Sequence, residues 1–414
     1  MLAALLLAFG AQAAEEPLRG WTPAGLPLLN YNSDEGLGYG ARVLLVDHGD
    51  GHEQPFRMSV MAQFFQTTKG VAAHRLFLDM PGFLGSAYRM DLDVAWSIDK
   101  FSPWYGPGNG ASYDPAVDTC ADHGPLSVDP SHCAGTPAFR GLRFYRYDRN
   151  TLPRLKLNFR GPLAGPWKFL AGVRFSLNRI TPFYGPDDLG QQGESQLALD
   201  ARAGRISGYE GDAPFTRREG FATLGLVYDT RDNEPAAHSG MFLEGSLRAG
   251  SRALGGEDEW QGGNLNLRFF QALGTPRVVA ALRVLADAMV GDVPFFLLNT
   301  TGGLDGPEGV GGQFTLRGLL KNRLQGMGKL LLTPELRGTA YEGSHLDLRL
   351  VAALDLGRVW AQVGKADPGP WRAGGSLGFR AAWNRDFVVR VDLGLGLSES
   401  YADKSLYVTF DEMF

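Results

Sequence analysis

The chain has 414 residues, 44% hydrophobic and 21% charged, with 56 glycines and a formal net charge of −5. No run of 18 or more apolar residues occurs, which excludes a transmembrane helix, and the slight acidity gives no reason to expect a nucleic-acid partner. Abundant glycine with 11% aromatics fits a chain of strands and turns. The length suits two or three soluble domains or one large all-β unit.

The N-terminus reads MLAALLLAFGAQAAEEP. A short apolar core, Leu2 to Phe9, leads into an Ala-x-Ala site at Ala11–Ala13. That is the pattern of an export signal over 1–13, with the usual positive start missing. A short periplasmic lead over 14–25 is expected next, then a barrel over 26–414.

Period-two alternation dominates the rest. In residues 345–360, HLDLRLVAALDLGRVW, Leu346, Leu348, Leu350, Leu354 and Leu356 share one face. Asp347, Arg349, Asp355 and Gly357 share the other. In 387–397, FVVRVDLGLGL, Val389, Val391, Leu393 and Leu395 oppose Val388, Arg390, Asp392 and Gly394. These runs are far longer than a soluble strand of about 5–6 residues. A tilted membrane strand needs about 9–11. Apolar on one side and charged or glycine on the other is the pattern of a transmembrane barrel, which must close because hydrocarbon cannot bond a free edge.

The spacing predicts sixteen strands, near 26–32, 37–47, 56–67, 74–81, 86–97, 140–160, 167–180, 215–230, 239–251, 258–273, 277–290, 328–340, 345–361, 372–383, 387–397 and 404–414. Every second linker is mostly short, and the long linkers 98–139, 181–214 and 291–327 fall in the other set. Short periplasmic turns and long outer loops have this asymmetry. Tryptophans such as Trp96, Trp104, Trp167 and Trp260 near strand ends suit interfacial girdles. The predicted class is an all-β, sixteen-stranded antiparallel transmembrane barrel in the cell outer membrane, with outer-membrane lipid as its solvent.

The two cysteines, Cys120 and Cys133, lie in a Pro-, Gly- and Asp-rich run. A disulfide stapling that loop is the expectation for an exported chain; with His123 and His132 the spacing fits no standard zinc site. No phosphate loop or nucleophile-elbow motif occurs. Neither an enzyme nor a cofactor is expected. The end, SLYVTFDEMF, places Leu406, Val408, Phe410 and Phe414 on one face.

Several segments together resemble the outer-membrane assembly-factor superfamily that includes BamA, TamA and the two-partner secretion transporters. LRGL (316–319) is similar to its V-R-G-F/Y motif, with Leu319 where an aromatic is usual. GKLLLTPELR (328–337) resembles the following strand, and LDLGRVW (354–360) the next strand's D-x-G. YDTRDNEPAAHSGMFLEGSL (228–247) resembles its periplasmic turn, through Asp229, Arg231, Asp232, Asn233 and Gly240. LPLLNYNSDEGLGYGARV (26–43) resembles the first hairpin. A closing strand with Phe410 and Phe414 is similar to the signal by which such barrels are recognised for insertion.

The resemblance covers nearly the whole chain and implies a loop folded back into the lumen. Alternation independently turns Glu335 and Asp355 inward, so Arg317 is expected to meet both. A planar guanidinium suits two carboxylates, and Gly318 lets the backbone bend. The expected latch is Arg317, Gly318, Glu335, Asp355 and Gly357. Handling of client polypeptides or lipid is implied, either directly or with a separate periplasmic partner, because no stretch suits the family's POTRA domains. Pro27 in the first strand points to a weak seam. The other expectations are a passive pore or structural barrel without client handling, and a surface-binding protein using the 98–139 loop.

Overall fold

The computed structural model describes residues 19–32, 36–50, 56–118, 140–141, 143–186, 192–233, 237–304, 309–343, 346–367, 369–383, 387–399, 404–410 and 413–414. The export signal and both cysteines lie outside the described residues. Among these, sixteen strands close one barrel. They are β1 (Trp21–Asn32), β2 (Gly36–Asp47), β3 (Met58–Thr67), β4 (Val71–Met80), β5 (Arg89–Pro103), β6 (Arg146–Ala164), β7 (Trp167–Pro182), β8 (Phe215–Asp229), β9 (Gly240–Gly250), β10 (Trp260–Leu273), β11 (Thr275–Gly291), β12 (Gly328–Glu342), β13 (Leu346–Trp360), β14 (Arg372–Trp383), β15 (Phe387–Gly396) and β16 (Lys404–Phe410). Each pairs antiparallel with its sequence neighbours, and β1 returns to β16.

All sixteen predicted strands are present, with shifted bounds: β5 runs to Pro103 rather than 97 and β6 starts at Arg146 rather than 140, and both ends of the chain differ. β1 starts at Trp21 rather than 26, so residues 21–25 belong to the wall and not to the lead. It carries Pro23 and Pro27, and all twelve of its residues are in register with β2. Against β16 only Tyr31↔Val408 and Asn32↔Tyr407 pair among the described residues. Prolines are tolerated on such an edge, where there is little ladder to interrupt. At the other end β16 stops at Phe410.

The alternation becomes a wall with two chemistries. Leu224, Leu247, Leu350 and Leu393 are more than half exposed on the outer face. Their neighbours Arg248, Asp355 and Asp392 are buried on the inner one. A soluble protein would not leave such a belt in water; in a bilayer it is the lipid contact. Trp21, Trp96, Trp167 and Trp371 are partly exposed, as interfacial anchors are. Trp104 and Trp260 are not. They are buried with Tyr147, Ile180, Phe295 and Phe296 where the long loops converge over one end of the barrel. Trp104 Nε1 donates to Asp200 Oδ2 at 2.8 Å there, which satisfies the polar edge of a ring that the loops have buried.

Candidate functional site

Residues 292–304 and 309–327, between β11 and β12, run back against the inward faces of the wall. Two kinds of contact hold them. One is apolar: Val310, Leu316, Leu319 and Leu324 are buried with Leu285, Leu331 and Val359 of the strands. Leu319 therefore fills the hydrophobic role of the expected aromatic. The other is charged and centres on Arg317.

Arg317 Nε donates to Asp355 Oδ2 at 2.8 Å and Nη2 to Asp355 Oδ1 at 3.0 Å, a two-pronged fork. Nη2 also reaches Glu335 Oε1 at 3.1 Å. The Arg317 backbone amide donates to Asp355 Oδ2 at 3.0 Å, so one carboxylate holds both main chain and side chain. Nη1 lies 3.6 Å from Asp392 Oδ2. All four side chains are fully buried.

The carboxylates have further partners. Arg337 donates to Glu335 Oε2 from Nε at 3.0 Å and Nη2 at 2.9 Å. Arg380 Nη1 reaches Asp392 Oδ1 at 2.7 Å, and Arg390 Nε lies 3.3 Å from Asp392 Oδ2. Arginines also clasp the loop backbone: Arg283 donates to the Phe314 carbonyl at 2.8 Å and Arg390 to that of Gln313 at 3.1 Å.

Glycines make the close approach possible. Gly318 has φ +86° and lies so near the Leu395–Gly396 peptide that any side chain would collide with it. Opposite, a Cβ on Gly374 would strike the Arg317 carbonyl. One on Gly394 would lie 2.6 Å from the Gly318 nitrogen. Gly357 leaves room for Leu316 and Val310, whose carbons would sit 2.9 and 3.0 Å from its Cβ. Sequence reasoning placed Arg317, Gly318, Glu335, Asp355 and Gly357 in this group but did not name Asp392, Arg337, Arg380, Arg390, Gly374 or Gly394. Alternation along 387–397 already put Arg390, Asp392 and Gly394 on the inner face.

The turn between β8 and β9 is built locally. Arg231 grips Asp229 through Nε to Oδ1 at 2.9 Å and Nη2 to Oδ2 at 3.0 Å, and stacks over Phe242 at 4.8 Å. Asp232 Oδ1 accepts from the amides of His238 at 2.9 Å and Ser239 at 3.2 Å. Slight burial pushes that carboxyl up, but the two amides outweigh it and hold it below the ordinary aspartate range. Asn233 follows in the same turn. Gly240 has φ +97° and a Cβ there would strike the Thr230 carbonyl.

Phe410 ends β16 opposite Val389. Phe414 is not on the lipid face with Leu406 and Val408. It turns inward and is buried beside Phe270, Ala281 and Met413. The Arg337 guanidinium sits 4.9 Å and that of Arg283 5.1 Å from its ring centroid. Arg337 also donates to the Phe414 carbonyl at 3.1 Å. Two cations over one ring supply the attraction that draws it from lipid to lumen.

A closed, lipid-facing barrel of sixteen strands with an arginine-pinned inner segment is an outer-membrane barrel. Its architecture is shared with BamA from Haemophilus ducreyi lacking POTRA domains 1–3, at TM-score 0.61 and 11% identity, covering 95% of this chain and 70% of that one. It is also shared with CdiB from Escherichia coli (0.58, 12%, 97% and 63%) and CdiB from Acinetobacter baumannii (0.52, 13%, 95% and 60%). The chain thus spans less than two thirds of either CdiB. No protein-family model and no curated protein matches the sequence.

Proposed function

We propose that the protein assists insertion or translocation of polypeptide at the outer membrane, opening at the β1–β16 seam while Arg317 latches the inner segment to β12, β13 and β15. The observation that carries this reading is the seam. It has two described residue pairs, against twelve between β1 and β2 and seven between β15 and β16. Among the described residues fewer ladder bonds need breaking to part these two strands than at any other junction of the wall, which makes opening there the least costly. The fold shared with BamA and CdiB supports the same reading. Outer-membrane lipid and client polypeptide are the partners it requires. On this reading Asp229, Arg231, Asp232, Asn233 and Gly240 set a rigid periplasmic turn, and Phe410 and Phe414 mark the end recognised during the barrel's own insertion.

The test is a covalent lock. Tyr31→Cys with Val408→Cys, in a background where Cys120 and Cys133 are serine, joins residues directly opposite each other across the seam. In proteoliposomes the oxidised form should lose the ability to insert a model barrel polypeptide and regain it on reduction. A matched lock between β1 and β2, Leu29→Cys with Tyr39→Cys, should leave insertion intact. Full activity with the seam locked overturns the proposal. If wild type then also shows a large steady conductance in planar bilayers, the passive-pore reading takes its place.

A further inference from the structure

The inner segment does not fill the barrel. A cavity of about 1450 Å³ remains, floored by residues from 299–304 and 309–322 and reaching the short-turn end at Arg160, Lys168 and Arg231. That exceeds the roughly 300–1,000 Å³ of an ordinary small-molecule site. Its described lining holds eleven arginines and lysines against two aspartates. The chain as a whole is acidic, so the cavity concentrates charge of the opposite sign to that of the molecule.

Neighbouring carboxylates cancel only part of that charge. Arg89 pairs with Asp79, Arg231 with Asp229, and Lys321 lies 3.9 Å from Asp99. Arg154 shares Asp93 with Arg75, at 3.4 and 3.0 Å. Arg160 is 3.8 Å from Asp91, and Arg174 is 3.9 Å from Glu219. Both acids are also bonded more closely by neutral donors, Asn158 at 2.7 Å and Ser176 at 2.7 Å. Arg149 and Arg283 bond only neutral acceptors among the described residues. Arg149 donates to Asn178 and the Phe296 carbonyl, Arg283 to the Phe314 carbonyl. Arg283 is 97% buried. Among the described residues the Nε donors of Arg154, Arg160, Arg174 and Arg283 are buried without a hydrogen-bond partner. Arg154, Arg160 and Arg174 keep part of their side chains open to the cavity, and Arg283 is a buried cation whose idle donor is costly unless something fills it.

We infer that this cavity is a binding site for a multivalent phosphate-bearing anion, held by arginines that line it from β6, β7 and β11. Nine of the eleven lining cations are arginine, whose planar forks match oxyanions better than lysine does. A phosphate presents several oxygens per centre to donors arriving from different strands. An acidic peptide is the poorer fit, because its backbone needs partners and the amides of a closed barrel wall are already spent in the ladders. The inference goes beyond client insertion and does not depend on the seam opening.

Tripolyphosphate is the probe, titrated calorimetrically into the full-length barrel in vesicles of zwitterionic lipid. It should bind saturably, with affinity falling steeply as salt rises. The triple variant Arg154→Gln, Arg174→Gln and Arg283→Gln should weaken binding by about tenfold or more. The pair Arg154→Gln and Arg174→Gln leaves the Phe314 contact intact and should weaken it less, in the same direction. Arg277→Gln, an exposed charge outside the cavity, should change nothing. Repeating the titration with phosphatidic acid in the vesicles separates two sources of the same chemistry: lost tripolyphosphate binding assigns the cavity to a lipid headgroup, unchanged binding to a soluble phosphate. No binding to wild type overturns the inference. So does equal weakening by Arg277→Gln, or an acidic peptide that outcompetes tripolyphosphate.

Discussion

Arg317 satisfies Asp355 alone but shares Glu335 with Arg337 and Asp392 with Arg380 and Arg390. The three carboxylates are therefore not equivalent. Removing Arg317 strands Asp355 in a site with no water contact, while Glu335 keeps a bidentate partner. Breaking one side of a dry buried pair costs about 3–5 kcal/mol. Arg317→Ala and Asp355→Ala should each cost about that much, and the double variant little more than either. Glu335→Gln should cost less than Asp355→Asn. Arg317→Lys keeps the charge and loses the fork, so it should fall between wild type and Arg317→Ala. Urea unfolding in lipid vesicles, followed by tryptophan fluorescence, measures all of these; additive single effects would separate Arg317 from Asp355. The guanidinium and two of its acids were legible in the sequence because the LRGL, PELR and DLG motifs name them and alternation points them inward. The third was not, because no motif marks Asp392. Only the curvature of the closed wall brings β15 within reach of a loop lodged against β12 and β13.

Docking of that loop depends on bare backbone at Gly374 and Gly394, which β14 and β15 turn toward the lumen. Alternation along 387–397 put Gly394 on the inner face. It could not show what approaches these glycines, since contact between elements over fifty residues apart leaves no local trace. Their role separates cleanly from strand propensity. Gly374→Ala places a methyl in the Arg317 carbonyl, whereas next to it Gly375→Ala faces out and meets only Leu397, at 3.6 Å. Both substitutions should favour the strand slightly as such. Overpacking at 374 should cost about 1–3 kcal/mol of loop docking. Arg317, Lys321 and Arg323 then become trypsin sites; Arg317 and Arg323 are buried in the wild type. Gly374→Ala should be cut in this segment at protease levels that leave wild type and Gly375→Ala intact. Equal resistance of all three would show that the loop does not need the glycine floor. The same limit explains β1. Its alternation suggested a first strand starting at 26, yet twelve continuous pairs with β2 carry it five residues further, to Trp21.

Taken as one object, the barrel sorts its residues by solvent: hydrocarbon outside, a charged and partly hydrated interior within. That division was readable throughout the chain because a period of two survives twist, tilt and loop length. The inward turn of Phe414 was not readable, because it depends on two arginines from β11 and β12 and on the strand having ended four residues earlier. The division also sets a depth rule that no soluble β-protein would obey. Leu224, 67% exposed, lies in the middle of β8 beside Leu247, while Leu163, 57% exposed, lies at the short turn after β6. In water an arginine at either exposed site is nearly neutral. In a bilayer the cost should follow depth: about 2–4 kcal/mol for Leu224→Arg near the midplane and about 0–1 kcal/mol for Leu163→Arg near the interface. Guanidinium titration of each variant folded into vesicles gives the two values. Equal costs, or a neutral Leu224→Arg, would mean that these leucines do not face lipid, and the assignment of inside and outside would fail with them.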